Sequence, residues 1–211
     1  MAAFFFFRHL MLRRVLLAVC ASAALAACST AEPRWAPDQD VARAAYVHDG
    51  PSSITLVTIY SNRSDQGAHS ALLINASERV VFDPAGTWHH RAAPERNDVH
   101  HGITDQVWSY YIDYHARETF RAELQTIKVS RYVAEQALLL VQNYGAVPKA
   151  HCANATSKVL RELPGFSSLP QTFYPGKLEE GFAKLPGVST RVIYDDDSDD
   201  NQSVLEAQNQ L

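Results

Sequence analysis

Cysteine is scarce in this sequence, and its scarcity limits the folds and chemistries to consider. Only three Cys occur among 211 residues. Cys20 and Cys28 belong to an apolar N-terminal segment, so Cys152 is the one thiol expected in a folded domain. A single thiol excludes an internal disulfide framework, the device that many small secreted domains rely on.

Long apolar runs are also scarce. The only extended run covers residues 15–27, which is shorter than the ~20 residues that a membrane-spanning helix needs. A basic stretch precedes this run, which ends in Leu25-Ala26-Ala27-Cys28, so residues 1–27 are predicted to be a secretory signal. Those last four residues resemble a bacterial lipobox. The resemblance implies that Cys28 is lipidated and anchors the chain in the cell envelope, and Ser29 implies the outer membrane, facing the periplasm.

This compartment changes the interpretation of Cys152. Cys20 would be removed with the signal and Cys28 would carry lipid, which leaves Cys152 as a lone thiol in an oxidising environment. Such a thiol is either buried and inert or retained for its chemistry, and we favour chemistry.

Basic charge is not in excess. The net charge is −4, and much of the acidic charge lies in residues 195–211. The rest of the chain is nearly neutral, so no nucleic-acid partner is expected. The run from Asp195 to Asp200 could bind calcium, but a solvated, disordered acidic tail at 195–211 is favoured.

The remaining chain is divided into a tether at 28–50 and one domain at 51–194. Alternating or β-rich patterns predict strands at 54–60, 69–74, 79–83, 124–129 and 190–194. Helices are predicted at 103–114, at 130–144 with Ser130 as N-cap, from Cys152 onward and at 178–185, and residues 84–102 are predicted to be a loop. These elements predict an α+β fold, in which a small antiparallel sheet carries the Cys152 helix on one face.

The Cys152 helix is the stretch on which the functional hypothesis depends. Ala155, Val159 and Leu163 recur at helical spacing on the same stripe as Cys152, and Pro164-Gly165 ends the run. A thiol in the first turn of a helix lies near the positive end of the helix dipole, which favours the thiolate.

A nucleophilic cysteine needs a base, and His69 is the best candidate because it begins an otherwise apolar strand. His151 is adjacent to Cys152, but neighbouring helical residues point about 100° apart. If the hairpin turn is centred on Ala76, His69 lies directly opposite Asp83, which could orient the imidazole. The alternative is that Asp83, before Pro84, only forms a turn.

Three segments resemble the circularly permuted branch of the NlpC/P60, papain-like superfamily. They are Gly67-Ala68-His69-Ser70-Ala71-Leu72-Leu73-Ile74, Val80-Val81-Phe82-Asp83 and His151-Cys152-Ala153-Asn154, within residues 54–163. In unpermuted members the cysteine helix precedes the histidine strand. The resemblance implies a permuted papain-like fold with Cys152 as nucleophile, His69 as base and Asp83 as the third polar residue.

The expected activity is a cell-envelope thiol hydrolase that forms an acyl-enzyme, most readily on amide bonds of peptidoglycan stem peptides. An acyltransferase or lipid and ester hydrolase of the lecithin-retinol acyltransferase type is the enzymatic alternative. A non-catalytic or metal-binding lipoprotein is the other class, with zinc held by His89-His90 and His100-His101 together with Cys152. The favoured hypothesis includes no cofactor and no metal ion.

Overall fold

The computed structural model describes residues 31–210, so the predicted signal at 1–27 and the predicted lipidation site Cys28 lie outside the described residues. Six helices and seven strands occur in the described part. In chain order they are α1 (Asp38–Ala44), β1 (Ser53–Ser61), β2 (Gly67–Asn75), β3 (Arg79–Phe82), β4 (Glu95–Arg96), β5 (Val99–His100), α2 (Asp105–His115), β6 (Phe120–Lys128), α3 (Arg131–Gln142), α4 (Cys152–Arg161), α5 (Pro175–Phe182), β7 (Ser189–Ile193) and α6 (Asn201–Gln208).

All seven strands form one open antiparallel sheet in the order β4-β5-β3-β2-β1-β6-β7. The predicted α+β class is therefore confirmed. The strand predicted at 54–60 occurs as β1, although its alternation of Ile or Leu with Thr is typical of a strand with only one buried face. β1 is buried from Ile54 to Tyr60 because helices cover both faces of the sheet.

The sheet separates two hydrophobic cores. On one face, which we call the α4 face, helices α3, α4 and α5 pack against side chains such as Leu56 and Leu72. On the other, the α2 face, helices α2 and α6 pack against side chains such as Val57 and Leu73. Successive strand residues point to opposite faces, so each central strand contributes to both cores.

Helix α4 begins at Cys152 and packs on one face of the sheet, as predicted. Ala155, Val159 and Leu160 are at most 1% exposed and join the core of the α4 face. Ser130 is also confirmed as an N-cap, because its hydroxyl accepts a hydrogen bond from the Val133 N–H at the start of α3.

Two segments differ from the sequence prediction near the edge of the sheet. The predicted loop 84–102 contains β4 and β5, each of two residues, too short for a side-chain period to reveal them. The predicted tether is attached to this edge. The Ala36 N–H donates to the Glu95 carbonyl (3.0 Å), and the Asn97 N–H donates to the Arg34 carbonyl (3.0 Å).

The tail, which we predicted to be disordered, contains α6. Asp200 caps this helix by accepting from the Ser203 N–H. Gln208 is only 4% exposed, and its side chain bonds to the Tyr110 carbonyl and to the Asp113 carboxylate. A polar helix anchored by one buried amide has little hydrophobic periodicity, which explains why the sequence did not reveal it.

Among the helices of residues 31–210, none is long and apolar enough to cross a membrane.

Candidate active site

His69 and Asp83 are in contact, but not through the predicted pairing. The hairpin pairs Leu72 with Phe82 and Asn75 with Arg79, two residues out of the expected register. The predicted direct opposition of His69 and Asp83 is therefore wrong. A shift of two residues keeps every side chain on its face, and His69 Nε2 lies 2.6 Å from Asp83 Oδ1.

Asp83 is 1% exposed and is held by a second donor. The Tyr111 hydroxyl of α2 donates to the same Oδ1 at 2.8 Å. Burial alone would raise the pKa of Asp83, but the charge of His69 and its hydrogen bond hold that pKa well below the ordinary range. Asp83 is therefore an ionised group that orients the imidazole.

Cys152 is 7% exposed, and its sulfur interacts with His69. Burial would raise the pKa of the thiol, but the hydrogen bond and charge of His69 lower it, as do the backbone N–H groups of Ser70 and Ala153. Since Nε2 of His69 faces Asp83, Nδ1 is the nitrogen left for the sulfur. The arrangement favours a thiolate beside an imidazolium.

The pKa of His69 is raised, which complements the lowered pKa of Cys152. Burial opposes protonation, but the charge of Asp83, the hydrogen bond to it and the interaction with Cys152 raise the pKa above the ordinary value of histidine. His69 lies between one group that stabilises its charge and one that can exchange a proton with it, as a general acid–base residue requires.

The thiol and the imidazole approach from opposite faces of the sheet. Cys152 begins the helix of the α4 face. His69 points to the α2 face, as do Ala71 and Leu73, because alternate residues of a strand point the same way. β3 pairs with β2 only from Leu72 to Asn75. The residues of β2 before Leu72 are therefore not paired with β3, and the sulfur interacts with the N–H of one of them, Ser70.

Asp98 ties together the two loops that carry the site. Its Oδ2 accepts from the Val147 N–H at 2.7 Å, in the loop that leads to α4. It also accepts from the backbone of Ala85, and its own carbonyl accepts from the Asp83 N–H at 2.8 Å. Burial raises the pKa of Asp98 to about 6. Asp98 therefore joins the segment that contains Asp83 to the loop that leads to Cys152.

His115 is a neighbour of the site that the sequence did not single out. Its ring lies parallel to that of His69, with the centroids 5.7 Å apart. Its Nδ1–H donates to the Tyr111 carbonyl at 2.8 Å. Burial lowers its pKa to about 4, so the ring is neutral. Tyr111 and His115 are four residues apart on one helix, and that spacing was the available signal.

His151 takes no part in the pairing of the thiol with its base. It occupies the N-cap position of α4 without a capping side-chain hydrogen bond, and its ring packs edge-on against Phe173. This agrees with the expectation that a helical neighbour of Cys152 is poorly placed for proton transfer.

A recess of about 210 Å³ adjoins His69 and His115 on the α2 face. It contains no Lys, Arg, Asp or Glu side chain in its lining. The lining residues are Ile59, Ala68, His69, Ala85, Gly86, Thr87, Tyr114, His115, Phe120 and Asn201.

The histidine pairs of the zinc alternative do not converge on Cys152. His90 bonds to the Gln208 carbonyl (3.0 Å), His101 bonds to Glu78 (3.2 Å), and His100 is buried against Trp88. In residues 31–210 these pairs form no ligand cluster with Cys152, so this form of the metal alternative is not supported.

The acidic tail brings the carboxylates of Asp113, Asp195 and Asp197 together. Arg117 approaches Asp197 at 3.3 Å and Asp113 at 3.6 Å, so a cation already belongs to the cluster. The tail is thus joined to α2 by charge pairing.

Comparison of the chain with protein-family models, with curated proteins and with solved structures finds no match.

Proposed function

We propose that the protein is a cysteine hydrolase in which Cys152 is the nucleophile, His69 the acid–base residue and Asp83 the group that orients His69. The observation that carries this proposal is that the His69 imidazole is hydrogen-bonded to the buried Asp83 carboxylate and interacts with the Cys152 thiol, so that the thiol pKa is lowered and the imidazole pKa is raised. The imidazole partner distinguishes Cys152 from an inert core cysteine, whose pKa burial alone would raise.

The residues support attack on a carbonyl carbon. The thiolate attacks and forms a tetrahedral intermediate, and His69 Nδ1–H donates its proton to the leaving group as the acyl-enzyme forms. A water molecule then attacks the acyl-enzyme, with neutral His69 as base. Cys152 is the first residue of α4, so its N–H has no carbonyl one turn back and is the natural oxyanion donor.

We propose a permuted papain-like relationship on the same grounds. The hairpin that carries His69 precedes the helix that carries Cys152, and that helix packs on an antiparallel sheet. On the basis of this proposed relationship, we propose an amide of the peptidoglycan stem peptides as the substrate class. The seven-stranded sheet with helices on both faces is larger than the small sheet expected from the resemblance.

An acyl or lipid substrate is the second candidate because aromatic side chains lie exposed near the nucleophile. Phe173 and Tyr174 are 53% and 72% exposed, and Phe173 contacts the ring of His151, which adjoins Cys152. An apolar chain could lie on these rings during acyl transfer.

The test is digestion of purified peptidoglycan, read by the masses of the released muropeptides, with an acyl ester assayed in parallel. We expect new amide cleavage that Cys152→Ala abolishes. Cleavage of the ester alone would favour the lipid alternative. Activity retained in Cys152→Ala, or no turnover of either substrate by a folded protein, would refute the proposal and leave a non-catalytic lipoprotein.

We also propose that Cys28 anchors the chain in the outer membrane, facing the periplasm. This rests on the lipobox-like sequence before Cys28 and on Ser29 after it. Cys28→Ala should leave an unprocessed precursor or release the protein from the outer-membrane fraction. Normal processing and fractionation of this variant would contradict the proposal.

A further inference from the structure

The hydrolytic mechanism gives no role to His115, yet this side chain completes a cluster. One potential metal-ligand atom from each of His69, Asp83 and His115 lies within 4.8 Å of the others. The three residues come from β2, from the turn after β3 and from the end of α2. They are brought together by the packing of α2 on the sheet.

Tyr111 orients two of these three side chains. Its carbonyl accepts from His115 Nδ1–H, which leaves the lone pair of that neutral ring on Nε2. Its hydroxyl donates to Asp83 Oδ1. Metal-binding histidines commonly donate their second ring nitrogen to a backbone carbonyl, and metal-binding carboxylates are also held by hydrogen bonds.

The charge of the surroundings favours a cation. Asp83 and the Cys152 thiolate bring two negative charges, against one positive charge on His69. The adjoining recess contains His69 and His115 in its wall and no Lys or Arg. Its volume of about 210 Å³ provides a route of entry and room for water ligands.

We propose that His69, Asp83 and His115 bind a divalent transition-metal ion, for which Zn²⁺ is the best match. Two imidazoles and one carboxylate form a common zinc ligand set that leaves a further position open, here towards the recess. The ion replaces the proton between His69 Nε2 and Asp83 Oδ1, so binding releases that proton. The two atoms, 2.6 Å apart, then separate to accommodate bonds of ~2.0–2.2 Å to the ion.

The consequence for catalysis is inhibition, and this part rests on the proposed function. With the ion on Nε2, His69 retains only its Nδ1 proton. Donating that proton to a leaving group would create an imidazolate, so the acid–base step stops. The metal site and the catalytic site therefore use His69 in mutually exclusive ways.

Binding is tested in full-length, untagged Cys152→Ala protein, because this background removes the thiol as a ligand. Titration calorimetry with ZnCl₂ should show one ion per chain with release of a proton, and Co²⁺ should give a visible spectrum without a thiolate band. His115→Phe in this background keeps the stacked ring and removes the nitrogens, and it should weaken binding at least tenfold. The matched control, His89→Phe, alters an exposed histidine outside the cluster and should bind as the parent does.

Absence of binding by the folded Cys152→Ala protein would overturn the site. Equal affinity in His115→Phe, or loss of binding in His89→Phe, would also overturn it. If His115→Phe fails to fold by circular dichroism, Asp83→Asn replaces it, with the same expected loss of affinity.

Inhibition is tested in protein that retains Cys152, by peptidoglycan digestion with and without ZnCl₂. Each protein is compared with its own zinc-free rate. Zinc should slow the wild type and slow His115→Phe far less. Equal inhibition of both would refute the inhibitory role. A wild type that is inactive without zinc would refute the hydrolase, while calorimetry would still decide whether the metal site exists.

Discussion

The two faces of the sheet are covered by helices to a similar extent but differ in chemistry. The core of the α4 face consists almost entirely of aliphatic and phenylalanine side chains. The α2 face contains Trp88, Tyr111 and Tyr114 in its core, and His69, Asp83 and His115 lie beside them. Both faces have a hydrophobic core, but the α2 face also holds a cluster of buried ionisable groups beside its aromatic side chains.

The difference shows how a small domain can accommodate buried charge. A buried polar group is costly unless it is hydrogen-bonded, and the α2 face meets this need with a chain of contacts from Tyr111 to Asp83 to His69. The α4 face contributes the Cys152 sulfur, the proposed nucleophile. This atom lies beside Ser70, where the pairing of β2 with β3 has ended. Substitutions on the two faces should therefore have separable effects on stability and on reactivity.

The largest effect is expected from Leu160→Ala on the α4 face. Leu160 is 0% exposed, so the substitution should lower the free energy of unfolding by about 2–5 kcal/mol. Urea denaturation followed by circular dichroism measures this change. Leu139→Ala on α3 is the matched control, since Leu139 is 57% exposed and its truncation should change stability by less than about 0.5 kcal/mol. Equal effects of the two substitutions would contradict the assignment of the core.

The second effect concerns reactivity on the α2 face. His69→Ala removes the side chain that lowers the pKa of Cys152 most, so that pKa should rise. Alkylation by iodoacetamide near pH 7 should slow by about tenfold or more. Asp83→Asn should slow it less, and His89→Ala should leave it unchanged. If Cys152 labels only after denaturation, it is a buried structural thiol and the catalytic proposal fails.

The third effect is a pH dependence of stability that His115 creates. Its pKa is about 4 in the folded protein and near 6.5 in an unfolded chain, because burial disfavours the charged ring. Between these values the unfolded chain binds a proton that the folded protein does not, so stability falls as the pH drops from 6.5 towards 4. His115→Phe should remove about 2 kcal/mol of the loss between pH 7 and pH 5. Unfolding curves at the two pH values test this, with His89→Phe as control. An unchanged loss in His115→Phe would be inconsistent with a buried neutral ring.

The smallest effect is expected from Gly86→Ala. A Cβ at Gly86 would lie 1.9 Å from Asp83 Oδ2, so the carboxylate must turn away from His69. Alkylation of Cys152 should slow several-fold, less than in His69→Ala. Gly165→Ala is the control: it has a φ of +90° and no atom within 4 Å of the added Cβ, so it should cost about 1 kcal/mol of stability without changing alkylation. An alkylation rate unaffected by Gly86→Ala would argue against the role of Asp83.

Elements with strong local signals were predicted correctly, and those that depend on tertiary packing were not. The stripe of Ala155 and Val159 and the cap at Ser130 are local patterns, and both helices occur where they were predicted. The hairpin register was wrong by two residues, because the turn is centred on Ser77 and not on Ala76, and both registers bury the same faces. A shift of two residues does not change the face to which a side chain points. Asp83 was therefore predicted on the correct face, although it does not lie directly opposite His69.

The surroundings of the site could not be read from the sequence. Tyr111 and His115 belong to the site only because α2 packs on the sheet beside β2, and no local pattern specifies that placement. The contribution of Asp98 depends on two loops with irregular backbone, in which Ala85 and Asp98 have positive φ. The tail helix is anchored by Gln208 through contacts with distant residues. Each of these features is a long-range contact without a sequence period.

The order of the site residues along the chain also determines when the thiol becomes reactive. His69 lies in β2 and Asp83 directly follows β3, so the two residues are only 14 positions apart in one β-hairpin. Cys152 follows much later, after β4, β5, α2, β6 and α3. Closing the long loop between these residues costs more conformational entropy than closing the hairpin, so the thiol meets its base only when α4 packs on the sheet. Until α4 docks on the sheet, Cys152 lacks its imidazole and has the weak nucleophilicity of an ordinary thiol. In the proposed hydrolase, completion of the fold is thus the step that activates the nucleophile, and an incompletely folded chain is protected from its own chemistry.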